Sequence, residues 1–298
     1  MTVATQSLSY RGRFAPSPTG DLHFGSLVAA VGSYLQARVN AGQWLLRVED
    51  LDPPREVPGS ARRIIDDLAR FGMEPDEPVL YQSTRTNLYQ QAVNRLLSED
   101  KAYWCGCSRS AMPADGIYPG TCRNGLPADK QPRAVRLRVD HQELVFRDRI
   151  QGLVNQDLAR QVGDFIIRRA DGLIAYQLAV VIDDEQQQIT EVVRGADLLD
   201  STARQIFLQR QLGLPSPEYA HLPVVTDLQG KKLSKRLQSD PVVPANPLPA
   251  LRQAMQFLGH EAPSGLTSRN AFWAWAVANW CLQKVPAASP PDLIFRSA

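Results

Sequence analysis

Short apolar runs and alternating stretches predict the strands of this chain. Residues 44–48 and 189–193 are runs typical of buried strands, and a last short strand begins at His221. Residues 132–170 alternate between apolar and polar side chains, as strands with one buried face do. The chain therefore contains at least one sheet with buried strands.

Longer stretches have apolar residues three and four positions apart, which is the spacing of helices. They cover residues 60–71, 84–103, 199–212, 250–258 and 270–282. The run at 173–184 is apolar at nearly every position and ends in Asp183 and Asp184, so it predicts a central element of the sheet. Helices that alternate with buried strands predict an α/β fold.

Residues 13–26 combine prolines, glycines and a histidine ahead of a helical pattern that begins near His23 or Ser26. A loop that enters a helix N-terminus binds anions, because unpaired backbone N–H groups and the helix dipole point there. One interpretation places nucleotide phosphates over His23 and Gly25. An ordinary Pro/Gly-rich loop fits the same spacing.

Composition narrows the class of protein. At 298 residues the chain predicts two or three structural units. Apolar residues make up 44% and charged residues 21%, which is typical of a soluble protein, and the N-terminus lacks a basic and apolar leader. We expect a cytoplasmic protein with no membrane association, and a monomer because no coiled-coil repeat is present. A net charge of +2 means that nucleic-acid binding would need local basic patches.

Two charged residues follow predicted strands. Glu49 comes after residues 44–48, and Arg194 follows residues 189–193. Ligands of doubly wound α/β sheets bind at the carboxyl ends of strands, so Glu49 is a candidate for binding an amino group. A solvated acidic turn before Pro53 is the alternative.

Three of the four cysteines lie close together in the sequence. Cys105 and Cys107 form a Cys-x-Cys pair, and Cys122 follows fifteen residues after the second. This is a partial zinc pattern, because structural zinc takes four N or S ligands. Tyr118, His141 or a water could complete the set. Alternatively, the cysteines are small buried apolar residues without a metal.

Basic residues concentrate in two places. A glycine, lysines and a serine at residues 230–236 suit a phosphate-holding loop, although such runs are usually solvated. The densest group could be the solvated face of a sheet or a surface that follows RNA phosphates. It comprises Arg133, Arg136, Arg138, Arg147, Arg149, Arg168 and Arg169.

These pieces, in this order, resemble the catalytic domain of class I aminoacyl-tRNA synthetases of the glutamyl type. Residues 23–26 (His-Phe-Gly-Ser) match the HIGH motif of that family, and residues 232–236 (Lys-Leu-Ser-Lys-Arg) match its KMSKS motif. Three further glutamyl-type signatures match residues 46–52, 176–184 and 192–199. The resemblance covers about residues 10–240. It implies a Rossmann-type domain interrupted by a zinc-containing α+β insertion and followed by a short helical region.

The resemblance also implies roles for single residues. The catalytic residues would be His23, Lys232 and Lys235. Glutamate would bind to Arg13, Ala15, Ser17, Glu49, Tyr176 and Arg194. ATP, accompanied by Mg²⁺, would bind to His23, Gly25, Ser26 and Lys235. A structural zinc ion would bind to Cys105, Cys107, Tyr118 and Cys122.

The resemblance further implies how these residues act. Arg13 and Arg194 would hold the carboxylate, Glu49 the α-amino group, and Tyr176 would close over the side chain. His23 would steady the triphosphate, and Lys235 would neutralise the departing pyrophosphate.

Four segments follow from the resemblance: the first Rossmann half (1–75), the insertion with the zinc site and an RNA-binding region (76–170), the second Rossmann half (171–240) and a helical C-terminal region (241–298). Only about 60 residues follow the KMSKS-like loop, too few for a typical anticodon-binding domain.

This combination is similar to the glutamyl-queuosine tRNA(Asp) synthetase family. The resemblance implies that glutamate is activated with ATP without tRNA and is then transferred to the queuosine base at the wobble position of tRNA(Asp), whose anticodon stem-loop would bind. A truncated glutamyl-type synthetase that charges a tRNA 3′ end is one alternative. A non-catalytic, zinc-containing RNA-binding paralogue is another.

Overall fold

The fold is built from short strands and longer helices. The computed structural model describes residues 9–140, 143–225 and 246–288. The strands in these ranges are β1 (Arg11–Phe14), β2 (Gln43–Val48), β3 (Leu80–Tyr81), β4 (Ala102–Cys105), β5 (Ala134–Leu137), β6 (Glu143–Asp148), β7 (Gly152–Asp157), β8 (Ile166–Arg168), β9 (Glu191–Gly195) and β10 (Glu218–Leu222). The α-helices there are α1 (Phe24–Val39), α2 (Ser60–Phe71), α3 (Thr86–Ser98), α4 (Leu158–Gln161), α5 (Tyr176–Gln186), α6 (Leu199–Leu212), α7 (Leu248–Phe257) and α8 (Arg269–Asn279).

Two groups of parallel strands lie edge to edge at the centre. The first has the order β1-β2-β3, and the second has the order β7-β6-β10-β9, in which only β7 is antiparallel to its neighbour. Hydrogen bonds between Arg11 and Thr190 join them: Thr190 N donates to Arg11 O, and Arg11 N donates to Thr190 Oγ1, both at 2.9 Å. The chain leaves β1 in one direction and β9 in the other, so a crevice forms at the carboxyl ends of these strands.

Helix α1 covers the junction between the two groups of strands. It packs on β1, β2 and β9. Its inner face is mostly apolar, with Leu27, Val31 and Leu35 fully buried, and it also buries the polar side chains of Ser33 and Gln36. The predicted start near His23 or Ser26 is confirmed, because His23 is the N-cap of α1.

The third sheet is antiparallel and has the order β4-β5-β8. It lies within the segment that was predicted to be an insertion. The predicted helix over 84–103 is shorter than expected: α3 ends at Ser98, and Ala102 already begins β4. The chain turns between them at Asp100, which has a positive φ of 52°.

The sequence-based prediction for residues 173–184 was wrong in its type of element. These residues include most of α5, which is a helix and not a strand of the sheet. The helix is buried on nearly all sides, so its sequence lacks the polar stripe that reveals surface helices. The element does not end at Asp183 and Asp184, as the sequence had predicted. They lie inside the helix, both buried.

The C-terminal helices α7 and α8 pack on α1. The ring of Phe257 meets Phe24 edge-on, and Trp273 meets Tyr34 in the same way. Trp273 Nε1 also donates to the carbonyl of Phe71 at 2.9 Å, at the end of α2. In the described ranges, no helix has the length and apolar content that crossing a bilayer requires. The division into four segments stays a prediction.

Candidate active site

A cavity of about 840 Å³ opens at the carboxyl ends of β1, β2 and β9. All nine of the described residues that were predicted to bind glutamate or ATP line it. They are Arg13, Ala15, Ser17, His23, Gly25, Ser26, Glu49, Tyr176 and Arg194. Lys235, which was predicted to bind ATP, and Lys232, which was predicted to be catalytic, lie outside the described residues. The cavity is large enough for a drug-sized ligand.

Arg194 is a buried cation whose described hydrogen-bond acceptors are all neutral. It ends β9 and is 5% exposed. Its guanidinium donates to His221 Nε2 at 3.0 Å, to Thr202 Oγ1 at 2.9 Å and to Tyr176 Oη at 3.2 Å. None of the described acidic groups forms an ion pair with Arg194. A carboxylate in the cavity would supply the missing negative charge, which is the kind of partner that guanidinium binds most strongly.

His221 and Asp148 hold Arg194 in place. Asp148 Oδ2 lies 2.6 Å from His221 Nδ1, so Nδ1 carries the proton and Nε2 is left to accept from Arg194. Burial, together with the Arg194 charge, lowers the pKa of His221, although Asp148 opposes this. Burial also opposes ionisation of Asp148, but hydrogen bonds from His221 and two backbone amides lower its pKa. His221 therefore stays neutral, and Asp148 stays ionised.

Arg13 already has an acidic partner. Its Nε and Nη2 atoms donate to the two carboxylate oxygens of Asp184 at 3.0 and 3.2 Å, deep below the cavity. Arg47 Nη2 lies 2.8 Å from the same carboxylate. Within the described part of the chain, Nη1 of Arg13 donates no hydrogen bond. Arg13 therefore has one amine group available for a ligand, whereas Arg194 has an unmatched charge.

Glu49 faces these cations from the end of β2. Its side chain is 9% exposed, and Oε1 lies 3.6 Å from Arg47 Nη2. Burial raises the pKa of Glu49 to about 7, and Asp183 and Asp184 add to this, although Arg47 and Arg13 act in the opposite direction. Glu49 therefore changes charge near neutral pH, and a cationic ligand group would favour its ionised form.

The loop before α1 forms the other wall of the cavity. His23 Nδ1 accepts from the backbone N–H of Ser26 at 3.2 Å, and Nε2 lies 2.9 Å from Ser26 Oγ. A Cβ atom at Gly25 would come within 3.3 Å of the His23 ring, so a side chain there would press on the imidazole. The absence of a side chain lets a ligand approach this helix N-terminus closely.

A second group of chemically related residues lies around β4. The Sγ atoms of Cys105, Cys107 and Cys122 all lie within 4.8 Å of one another. Cys107 Sγ and Cys122 Sγ are 3.7 Å apart, close to the edge of about 3.8 Å expected for a tetrahedron with Zn–S bonds of about 2.3 Å. Tyr118 Oη lies 3.3 Å from Cys105 Sγ and 3.6 Å from Cys107 Sγ. Of the three alternatives for a fourth ligand, Tyr118 therefore lies in the cluster, whereas His141 lies outside the described residues.

Cations surround this cysteine cluster. Lys130 Nζ donates to Cys107 Sγ at 3.2 Å, and Arg136 Nε donates to Cys105 Sγ at 3.4 Å. Burial would raise the pKa of Cys107, but hydrogen bonds from Tyr118, Lys130 and its cysteine neighbours lower it to about 7. Thiolates are the form that binds metal, so these donors fit a thiolate cluster with excess negative charge.

The seven arginines of the predicted basic region do not share one surface. Arg136 is buried below the ring of Tyr118, and Arg149 pairs with Glu191 and Glu218. Arg169 pairs with Asp52 and Asp171 at the cavity. Neither the solvated-face interpretation nor the RNA-surface interpretation therefore applies to the group as a whole.

Comparison with known proteins decides the family. Residues 9–115 and 122–244 match the family model for class I tRNA synthetases (E and Q), catalytic domain. A protein from Chromobacterium violaceum named glutamyl-Q tRNA(Asp) synthetase is 53% identical over 285 residues, which cover 93% of this chain and 96% of that protein. A protein of the same name from Pseudomonas fluorescens is 50% identical, over 96% of each chain. The chain belongs to the glutamyl-Q tRNA(Asp) synthetase family.

A solved structure supports the same fold. A glutamate tRNA ligase from Elizabethkingia meningosepticum, in complex with its amino acid, superposes with a TM-score of 0.80 at 29% identity. The match covers 94% of this chain but 66% of that ligase. This member of the glutamyl-Q tRNA(Asp) synthetase family thus spans about two thirds of its longer structural neighbour.

Residues that support the site were not identified from the sequence. Asp148, Thr202 and His221 fix Arg194, while Asp184, which also pairs with Arg47, fixes Arg13. His221 and Asp184 were noted only as parts of predicted elements. Asp184 belongs to an apolar run, and a charged residue in such a run is expected to be buried with a partner. This is the one sequence signal that could have identified these supporting residues.

Proposed function

We propose that this chain activates glutamate with ATP to form glutamyl-adenylate without tRNA, and then transfers the glutamyl group to queuosine at the wobble position of tRNA(Asp). The observation that carries the proposal is Arg194, a buried guanidinium at the cavity whose described hydrogen-bond acceptors are all neutral. Membership of the glutamyl-Q tRNA(Asp) synthetase family supports the same substrates.

Charge matching assigns the parts of glutamate to the cavity. Arg194 would bind the side-chain carboxylate, with Tyr176 holding the guanidinium and covering the methylene groups. Arg13 would add a hydrogen bond from Nη1. Glu49 would bind the α-ammonium group as a carboxylate. Glutamine would leave the buried Arg194 charge unmatched, which is how a site of this kind discriminates by a factor of about 10⁴.

The first reaction joins glutamate to the adenylyl group of ATP. An oxygen of the α-carboxylate attacks the α-phosphorus, the bond to the bridging oxygen breaks, and pyrophosphate leaves. His23 and the N-terminus of α1 would bind the triphosphate, and a close approach is possible because Gly25 lacks a side chain. Magnesium would accompany ATP. Lys232 and Lys235, by resemblance, would neutralise pyrophosphate as it departs.

The second reaction transfers the glutamyl group to RNA. A hydroxyl of queuosine attacks the carbonyl carbon of the mixed anhydride and loses its proton, and AMP leaves. Positioning and charge stabilisation are what such a transfer needs from the protein. The anticodon stem-loop of tRNA(Asp) would present this hydroxyl at the mouth of the cavity. We propose that the enzyme acts as a cytoplasmic monomer.

Glutamate-dependent ATP–pyrophosphate exchange without RNA tests the first step. We expect exchange in the wild type, a loss of at least about 100-fold in Arg194→Gln, and no change in Arg62→Gln, whose side chain is 80% exposed. Absence of exchange in the wild type would favour a non-catalytic RNA-binding protein.

Transfer to tRNA(Asp) tests the second step. We expect glutamate to be transferred to tRNA that contains queuosine and not to tRNA that lacks it. We also expect the product to form when the 3′-terminal ribose has been oxidised with periodate while the queuosine diol was protected. A product that requires an intact 3′ end would instead identify an enzyme that charges tRNA ends.

We also propose a structural zinc ion bound by Cys105, Cys107, Cys122 and Tyr118. The spacing of the three Sγ atoms and the cations beside them support this ligand set. These ligands lie in β4 and in the loop of residues 106–133. The few buried apolar residues of this region form a small core of their own. A metal would hold that loop in place, as structural zinc does in small units.

Metal analysis of purified variants tests the ligand set. We expect about one zinc per chain in the wild type, loss of zinc in Cys122→Ser, and at least about tenfold weaker retention against a chelator in Tyr118→Phe. Cys281→Ser, which changes the distant fourth cysteine, should retain the metal. Unchanged zinc content and retention in Tyr118→Phe would exclude Tyr118 from the ligand set.

A further inference from the structure

Trp104 carries an aromatic ring that the proposed chemistry does not use. It lies in β4 and is 38% exposed, the most of the five tryptophans. Its strand neighbours Tyr103 and Cys105 are buried, so the strand is held firmly while the indole ring faces solvent. An aromatic ring on a rigid strand loses little entropy when another planar group stacks on it.

Arg168 lies against this ring and has no negative partner within the described part of the chain. Its guanidinium carbon is 5.6 Å from the centre of the Trp104 ring. Its Nε is buried and has no hydrogen-bond partner, and no described acidic group pairs with the guanidinium. The adjacent Arg169, by contrast, pairs with two aspartates. Arg168 is therefore an unmatched cation next to an exposed ring.

The position of this pair relative to the cavity follows from strand register. Trp104 pairs with Val135, Val135 pairs with Arg168, and Arg168 forms a bridge with Ile174. Paired residues point to the same face of a sheet, and strands lie about 4.8 Å apart, so the row extends about 14 Å from Ile174 to Trp104. Ile174 lines the cavity. The ring and the cation thus lie on the surface that leads away from the cavity wall.

We propose that Trp104 and Arg168 form a binding platform for the single-stranded nucleotides next to the one that enters the cavity. A base of the anticodon loop stacks on Trp104, and the adjoining phosphate pairs with Arg168. This inference rests on the proposed function, because it takes the nucleotide in the cavity to belong to an RNA loop. Exposed bases of RNA loops are recognised by stacking on aromatic side chains, with cations along the backbone.

Charge and shape favour RNA over a protein partner. The exposed apolar surface here is one ring and not a groove, and the adjacent charge is an unmatched cation. Arg133 is a further exposed cation one residue before β5, and it forms no described ion pair. RNA complements this arrangement, because its bases can stack on the ring and its phosphates can pair with the cations. An apolar protein segment would leave Arg168 without a negative partner.

Substitutions at Trp104 that separate stacking from apolar contact test the proposal. Binding of a fluorescently labelled tRNA(Asp) anticodon stem-loop is measured by anisotropy. We expect Trp104→Phe to bind within about threefold of the wild type, and Trp104→Leu and Trp104→Ala to bind at least about fivefold more weakly. Arg168→Gln should weaken binding and reduce the salt dependence by about one phosphate contact.

Matched controls lie elsewhere on the surface. Leu153, in β7, is 76% exposed, and the side chain of Arg160 in α4 is 82% exposed. Leu153→Ala and Arg160→Gln should leave RNA affinity unchanged. Melting temperatures of all variants exclude loss of folding. Equal RNA affinity in Trp104→Leu and wild type would overturn the proposal, as would an Arg168→Gln variant with unchanged salt dependence.

Pyrophosphate exchange without RNA separates this proposal from the function on which it rests. Trp104 and Arg168 lie outside the cavity lining, so their variants should exchange at the wild-type rate. A wild type that fails to exchange refutes the proposed function, while the binding series still reports on the platform. A wild type that exchanges, with no loss of RNA affinity in the variants, refutes the platform alone.

Discussion

The two arginines of this site differ in whether an acidic side chain pairs with them. Arg13 and Arg194 have the same residue type and were predicted to have the same role, but the structure distinguishes them. Asp184 neutralises Arg13, whereas Arg194 is held by histidine, threonine and tyrosine. Both residues line the cavity, and their role in binding glutamate stays a prediction. The sequence could not reveal their partners, because these come from positions up to 171 residues away.

We expect glutamate binding to depend on pH because of Glu49. If it binds the α-ammonium group as a carboxylate, a pKa of about 7 in the free protein means that most of the binding form is lost below neutral pH. We expect the KM for glutamate in pyrophosphate exchange to rise about tenfold between pH 8 and pH 6. The KM for ATP should change much less over that range.

The stability of the protein provides an independent check on Glu49. Its pKa is raised on folding, so its contribution to the free energy of unfolding is present at pH 4.5 and is lost as pH rises towards 7. Glu49→Gln should lack this loss, on the order of 2 kcal/mol, in urea unfolding at pH 5 and pH 8. Identical pH dependence of stability in both proteins would contradict a raised pKa.

At the level of elements, strand and helix starts with local signals were predicted well. The α1 N-terminus, α2 and α6 agree with the sequence because their apolar spacing and end residues are explicit. Helix α5 was missed because it is buried on nearly all sides. A continuous apolar run has no period, so it does not distinguish a central strand from a buried helix.

The junction of α1 with β2 depends on a residue without a side chain. Gln43 N donates to Tyr10 O at 2.9 Å, which begins the β1–β2 pairing. A Cβ atom at Gly42 would lie 2.4 Å from that same oxygen. We expect Gly42→Ala to lower the free energy of unfolding by about 2–3 kcal/mol in urea titrations, because the backbone of β1 has to shift.

An alanine at Gly265 is the matched control for Gly42→Ala. No atom of the described residues lies within 4 Å of a Cβ atom there, and the φ of Gly265 is not in the left-handed region. Gly265→Ala should change stability by less than about 0.5 kcal/mol. If the two variants were equally stable, the contact between Gly42 and Tyr10 would not limit the packing of these strands.

At the scale of the whole molecule, a chain of buried hydrogen bonds joins the C-terminal region to the site. Trp280 Nε1 donates to Gln36 Oε1 at 2.8 Å, and Gln36 Nε2 donates to Glu191 Oε2 at 2.9 Å. Arg149 pairs with the other oxygen of Glu191. Glu191 begins β9, the strand that ends in Arg194. The apolar core of α1 also includes side chains from α7 and α8, so these parts should unfold together.

Replacing Trp280 tests this coupling. Trp280→Phe retains an aromatic ring on the His260 side but leaves the buried Gln36 oxygen without its donor. We expect a loss of about 1–3 kcal/mol in the free energy of unfolding. Hydrogen exchange should show an equal loss of protection in α8 and β9, since one transition exposes both. Trp275→Phe makes the same change where no described side-chain hydrogen bond is removed, and should cost less. Weaker protection in α8 alone would show instead that the C-terminal region unfolds independently of the sheet that holds Arg194.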